Sequence, residues 1–274
     1  MTVTMRAADI DALERDFLQQ EQVDCPVVHR FGPGVYIREV HMPAGAFIIG
    51  HRHKTTHLNV MLTGRLGLLN DDGTETELVA PQTFVAQPGR KAAYIYEDVI
   101  WQNIHATDET DVAKLEDLFL DKSPAFLDHI AALARPSGNY SEDNEDFLVA
   151  AADSGFDPLT VRETCERTDD QMPFPQGDYK VMVSASPIDG SGLFATGDIA
   201  DNELIAPGRI NGLRTPAARY INHSKHPNAV MVQSDSGDTY VFALRSIRGC
   251  RGGELGEEIT VDYRQALPIA LRSN

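Results

Sequence analysis

Cysteine is scarce and scattered. The 274 residues hold three, Cys25, Cys165 and Cys250, with no Cys-x-x-Cys pair. This excludes a disulfide framework and a cysteine-built zinc site. Long apolar runs are missing too, since none approaches the ~18 residues of a membrane-spanning helix. The opening "MTVTMRAADIDALERDFLQQ" is polar and acidic and lacks the apolar centre of a signal peptide. The expectation is a cytoplasmic protein without membrane association. Basic residues are few: 24 Lys plus Arg stand against 41 Asp plus Glu, for a net charge of −17. The shortage is uneven. Residues 178–274 hold 11 acidic and 10 basic residues, which leaves 30 and 14 to residues 1–177. Such a front half lacks the clustered Lys and Arg that grip a phosphate backbone, so nucleic acid is not an expected partner. The surplus favours solubility and attraction to cationic partners.

What is present is globular. Hydrophobic residues make up 42% and charged residues 24%, near the average for folded chains, and the length suits two domains. Ile10, Leu13 and Phe17 recur at helical spacing, predicting an amphipathic helix within residues 1–24. Between 25 and 107 the texture changes to short β-rich runs such as "VYIREVHM", "HLNVMLTG" and "VIWQNIHA". They are separated by Gly, Pro and Asp, and "NDDGTE" at 70–75 reads as a hairpin turn. Many short strands predict a sandwich or barrel. Residues 108–177 read as an acidic helical connector of four helices, with a flexible break around 136–143. Ser123-Pro124 is a helix start, the Ser as cap and the Pro as first helical residue. Strands return in 178–274, and no internal repeat links the two β regions.

The first constellation is histidine. Gly45, His51, His53, His57 and Gly64 fall within "GAFIIGHRHKTTHLNVMLTG". On an unbroken pleat His51, His53 and His57 share a face. Three converging imidazoles suit Zn, Fe, Ni, Mn or Cu. The spacing resembles the first motif of the cupin superfamily, Gly, five residues, His-x-His, three or four residues, Glu, six residues, Gly, with His57 at the Glu position. The resemblance implies a double-stranded β-helix barrel that often dimerises, and a divalent transition metal inside it. The second cupin motif places a His after a Pro-x-Gly turn. Here "AQPGRKAAY" keeps a Pro-Gly turn but puts Ala92 at that place, so His105 is the candidate fourth ligand.

The second constellation spans three stretches. "GSGLFA" begins at Gly190, "RYINHSKHPN" runs from Arg219 to Asn228, and "GEEITVDY" runs from Gly256 to Tyr263. In this order they resemble a SET domain, a family of protein-lysine methyltransferases that use S-adenosylmethionine. Three ordered motifs are more specific than any one of them. The resemblance implies that Gly190, Gly192, Leu193, Phe194, Asn222 and His223 hold the cofactor. It also implies that Asn228 bonds back onto a crossing strand and that Tyr263 orients the lysine amine. Positioning of the amine supplies much of the rate.

Two departures weaken the lysine channel. Only about fifteen residues separate "ELIAP" from Asn222, where active members carry a longer insert, and "ELIAPGRI" lacks the second active-site tyrosine. Minimal SET domains of this kind resemble those of bacterial and phage proteins. The expectation is a mainly β protein with a cupin-like barrel, a helical connector and a SET-like β-clip fold. It would methylate a lysine-bearing protein and form a homo-oligomer through the barrel. The alternatives are a non-catalytic binding or assembly protein with a degenerate SET-like module, and a metal-dependent cupin.

Overall fold

The structure, a computed structural model, describes residues 7–70, 73–133, 140–251 and 254–271. The chain is mainly β and splits into two compact units. One comprises residues 1–135 and 250–255, the other 136–249 and 256–274. No helix among the described residues is long and apolar enough to cross a membrane.

The first unit opens with helix α1 (Ala7–Phe17). Its Ile10 is 1% exposed against Leu69 and Ala92, a burial worth about 2 kcal/mol. The buried Arg90 fastens the same helix through Asp11, at 2.7 Å, and Glu14. The strands are β1 (Val27–Gly32), β2 (Val35–Met42), β3 (Phe47–Ile49), β4 (Arg52–His53), β5 (His57–Asn70), β6 (Glu75–Val79), β7 (Gln82–Ala86) and β8 (Lys91–Ala106). One antiparallel sheet runs β1-β2-β8-β5-β6, with β3 on β8 and β7 on β5. These pairings do not close into a ring among the described residues, so the expected barrel is an open, curled sheet. Its bend is built at Gly64, φ +84°. A side chain there would run into the Asp98 carbonyl oxygen, so only glycine lets β5 and β8 approach. The hairpin expected at "NDDGTE" is present, with Asn70 N–H donating to Thr74 O at 3.0 Å; Asp71 and Asp72 lie outside the described residues.

Cross-strand register divides the inner face of this sheet in two. One row carries Val40, Trp101 and Met61, part of an apolar core with Leu66, Ile95 and Val99. The next row reads His29, Arg38, Asn103, Asn59, and the one beyond it Phe31, Tyr36, His105. The interior is therefore polar at one end. Helix α2 (Val112–Phe119), capped by Asp111, leads into β9 (Leu120–Asp121), which pairs with β4. Helix α3 (Pro124–Leu133) follows, and Ser123 Oγ accepts from Phe126 N–H at 3.0 Å, as the Ser-Pro pair predicts.

The second unit contains helices α4 (Tyr140–Asp153) and α5 (Pro158–Glu166). α4 is helical from Tyr140, where a flexible break is expected from sequence; residues 136–139 lie outside the described residues. The strands are β10 (Gly177–Tyr179), β11 (Val181–Ala185), β12 (Ser191–Ala195), β13 (Leu204–Ile210), β14 (Leu213–Arg214), β15 (Asn222–His223), β16 (Ala229–Gln233), β17 (Thr239–Ala243) and β18 (Glu258–Val261). Two four-stranded sheets form, β11-β12-β18-β15 and β14-β13-β17-β16. A short helix α6 (Pro216–Arg219), capped by Thr215, precedes β15, and helix α7 (Tyr263–Leu271) follows β18.

Candidate functional site

Stretches about forty residues apart are brought together by the parallel pairing of β15 with β18, Asn222 opposite Thr260 and His223 opposite Val261. Asn228 locks the crossing. Its amide donates to Glu258 O at 2.8 Å, and its oxygen accepts from Thr260 N–H at 2.9 Å, as expected from sequence. Tyr263 follows at the start of α7, where its backbone N–H donates to His223 Nδ1 at 3.1 Å.

Beside this pair lies a cavity of about 290 Å³ lined by Gly190, Asn222, His223 and Tyr263, near the lower end of the ~300–1,000 Å³ usual for small-molecule sites. Four of the residues singled out from three separate motifs thus meet at one hollow. Leu193 and Phe194 are buried at 0% and 4% exposure and do not line it. They pair with Ile259 and Glu258 on β18 and anchor the strand behind the Gly190 loop. Gly192 does not line it either. A side chain there would collide with the Glu258 carboxylate, so the space opened by this glycine is already used.

The polar groups are heavily committed. Asn222 Nδ2 donates to Glu258 Oε1 at 2.7 Å, Ser186 Oγ at 3.0 Å and Ser191 O at 3.3 Å. Burial pushes the Glu258 carboxyl above its ordinary range, opposed by the bonds from Asn222 and Ser186. The second ring nitrogen of His223, Nε2, bonds to Asp146 Oδ2 at 3.0 Å. Arg264 grips both Asp146 oxygens at 2.8 and 3.0 Å and holds that carboxyl well below the usual range. The Tyr263 hydroxyl donates to Ile221 O at 3.0 Å. Burial drives its pKa up, so it keeps its proton throughout the ordinary pH range.

Sequence reasoning missed the opposite wall. α4 and α5 supply Asp143, Phe147, Arg162 and Cys165, and α6 supplies Arg219. Arg219 Nε is buried without a hydrogen-bond partner. A signal for it existed, since Arg219 begins the same stretch as Asn222 and His223. None existed for α4 and α5, which read as connector.

The histidines of the first unit are placed differently from the single face expected. Their pleat is broken: β4 ends at His53, β5 begins at His57, and 54–56 lie in neither strand. His53 and His57 rings nevertheless stack at 4.1 Å, and His57 and His105 lie 5.1 Å apart. Phe119 caps His105 at 4.0 Å, while the His51 ring sits edge-on to Phe126 at 4.5 Å. Burial keeps the imidazoles neutral, lowering His51 and His105 to about 4 and His53 to about 2. Neutral imidazole suits a metal, yet among the described residues no three His, Cys, Asp or Glu groups are placed to share one ion. The rings lie face to face instead of aiming nitrogens at a common point, and this arrangement does not fit a bound metal.

A family model, the SET domain, matches residues 209–264. This segment is similar to SET domains. It covers "RYINHSKHPN" and "GEEITVDY" and stops before neither Asn222 nor Tyr263. Among curated proteins nothing matches. Solved structures similar to the chain include a cupin domain from Bordetella pertussis, 19% identical, covering 32% of this chain and 98% of that one at a TM-score of 0.27. A cupin superfamily protein from Desulfitobacterium hafniense is 13% identical, covering 34% and 87%, at 0.26. KdgF from Halomonas sp. is 14% identical, covering 32% and 88%, at 0.26. Likenesses this distant say nothing of chemistry.

Proposed function

We propose that the second unit is a SET-like module that uses S-adenosylmethionine to methylate a lysine of a partner protein. The observation that supports this reading is the meeting of Gly190, Asn222, His223 and Tyr263, from three motifs, around one cavity. The cavity fits a cofactor in two respects. Nothing lies within 4 Å of where a side chain on Gly190 would point, and the cationic Arg219 is among the lining residues. Because the side chains of Asn222 and His223 are spent on the scaffold, their backbone groups would hold the cofactor. The cofactor supplies an electrophilic methyl on a sulfonium.

Tyr263 would orient the amine. Its proton is committed to Ile221 O, which leaves the hydroxyl oxygen as an acceptor for an amine N–H. The amine must lose its proton to react, and a desolvated site lowers its pKa from about 10.4. The acidic surface suits a cationic, lysine-bearing partner. The test is calorimetric titration of S-adenosylmethionine joined to methylation of a lysine-peptide mixture. Tyr263→Phe is expected to keep cofactor affinity within about threefold and to reduce methyl transfer at least tenfold. No heat with the cofactor ends the reading, and unchanged transfer removes the role of Tyr263.

A second reading is favoured by the commitment of Asn222, His223 and the Gly192 space to internal contacts. In it the module binds without catalysis and the chain serves assembly. The exposed Leu58, Leu62 and Val85 on β5 and β7 would then cover one another in a homo-oligomer. An absent cofactor heat together with a concentration-dependent sedimentation coefficient is its expected signature.

A further inference from the structure

Helices α4 and α5 carry an outer face that suits a partner better than solvent. α4 buries Phe147, Ala150 and Ala151, and α5 buries Val161. Positions turned away from such a stripe are ordinarily polar. Leu148 and Val149 on α4 and Leu159 on α5 are apolar instead, and 54%, 51% and 70% exposed. The two helices pack together, and all three residues lie toward the turn that joins them. Single exposed apolar residues are ordinary, whereas a group of them marks an interaction site.

The charge around them has one sign. α4 carries no Lys or Arg, and its Asp143, Asp146 and Asp153 are taken up by Ser224, His223 and Arg264. Glu142 and Glu145 on α4 and Glu163 and Glu166 on α5 are exposed and make no ion pair among the described residues. The one base of α5, Arg162, is drawn off to Asp189 at 3.4 Å and lies over the Phe147 ring. Glu142 with Glu145, and Glu163 with Glu166, are like charges three residues apart, which weaken the helix that carries them. The face thus leaves apolar surface uncovered and like charges opposed, and a cationic occupant with an apolar stripe relieves both. A second copy of this chain does not, because a two-fold contact through this face sets glutamates against glutamates. Anionic lipid is repelled in the same way.

We propose that this face docks a basic amphipathic helix of a partner protein, its apolar stripe covering Leu148, Val149 and Leu159 and its lysines meeting the four glutamates. The same helices wall the cavity through Phe147, Val161 and Glu166, so a docked segment is held at the cavity's side. That the partner is the methyl acceptor rests on the methyltransferase reading; the docking itself does not.

The experiment uses the full chain without cofactor and a fluorescent amphipathic peptide of lysine and leucine, followed by anisotropy. The references are the same residues scrambled so that the leucines form no stripe, and a glutamate–leucine counterpart. The lysine–leucine peptide is expected to bind saturably, roughly tenfold tighter than the scrambled one, and to weaken as salt is added. Leu148→Ser with Leu159→Ser is expected to weaken binding roughly tenfold. Glu145→Lys with Glu163→Lys is expected to lose the lysine–leucine peptide and gain the glutamate–leucine one, a reversal that misfolding does not produce. None of these four residues lines the cavity, so the heat with S-adenosylmethionine is expected to match the parent's. The inference falls if the scrambled peptide binds equally, if both variants bind like the parent, or if the chain sediments as a dimer that Leu148→Ser with Leu159→Ser breaks. It falls too if neutral-lipid vesicles take up the chain and the peptide does not compete. Docking without cofactor heat ends the methyltransferase reading alone; cofactor heat without docking ends this inference alone.

Discussion

His29 shows what a single buried side chain commits the first unit to. It is 1% exposed, and burial, aided by the Arg38 charge, lowers its pKa to about 3 from 6.5. The groups facing it are Tyr36 on β2, Arg38 directly opposite, and Glu116, whose charge acts the other way. Below pH 6.5 the unfolded chain takes up a proton that the folded form refuses until about 3. Stability therefore falls as pH falls through that window, by about 1.4 kcal/mol per pH unit for one histidine. Denaturant melts at pH 7 and pH 5 are expected to show the loss, and His29→Gln is expected to reduce its slope. An unchanged slope would mean that the proton is taken up elsewhere. At this scale the sequence was generous about types and poor about partners. Asn228 and Tyr263 could be nominated from their motifs. That Glu258 fills the space of Gly192 depends on a neighbour far away in the chain.

Helix α4 is the element whose role the sequence concealed. It reads correctly as a helix, but only as one of four in an acidic connector. Three of its acids hold the second unit. Asp146 joins His223 to Arg264, Asp153 takes Arg264 Nε at 3.0 Å, and Asp143 accepts from Ser224 Oγ at 3.2 Å and Lys225 N–H at 3.0 Å. Local pattern shows which face is polar but not which basic residue will arrive there. Asp146→Ala leaves the buried His223 without its acceptor, at a cost of about 1–3 kcal/mol. Amide hydrogen exchange of α4 is expected to quicken roughly tenfold, with β16 and β17 unaffected. Equal acceleration throughout the unit would show a global loss and not a local clasp. The same reasoning explains the histidines: alternation predicts a shared face only along one strand, and the chain leaves the strand between His53 and His57.

For the whole molecule, the two β regions and the four helices between them were legible, because each carries its own period and punctuation. The partition was not. Helices α2 and α3 go with the first unit and α4 and α5 with the second, while residues 250–255 return to the first. The return is marked by Arg251, whose Nε lies 3.6 Å from Asp24. A fragment ending at residue 135 therefore lacks part of its own unit. It is expected to melt roughly several degrees below the same unit in the full chain, as read by circular dichroism; an equal melting temperature would show the segment to be dispensable.

This composition also has a consequence during synthesis. At about 5–20 residues per second, the ribosome releases the final strip of the first unit roughly ten seconds after its main body has emerged. Through that interval the sheet, whose strands are already complete, waits without the Arg251 contact to Asp24 while the intervening polypeptide is made, and a chaperone that steadies it would act in that delay.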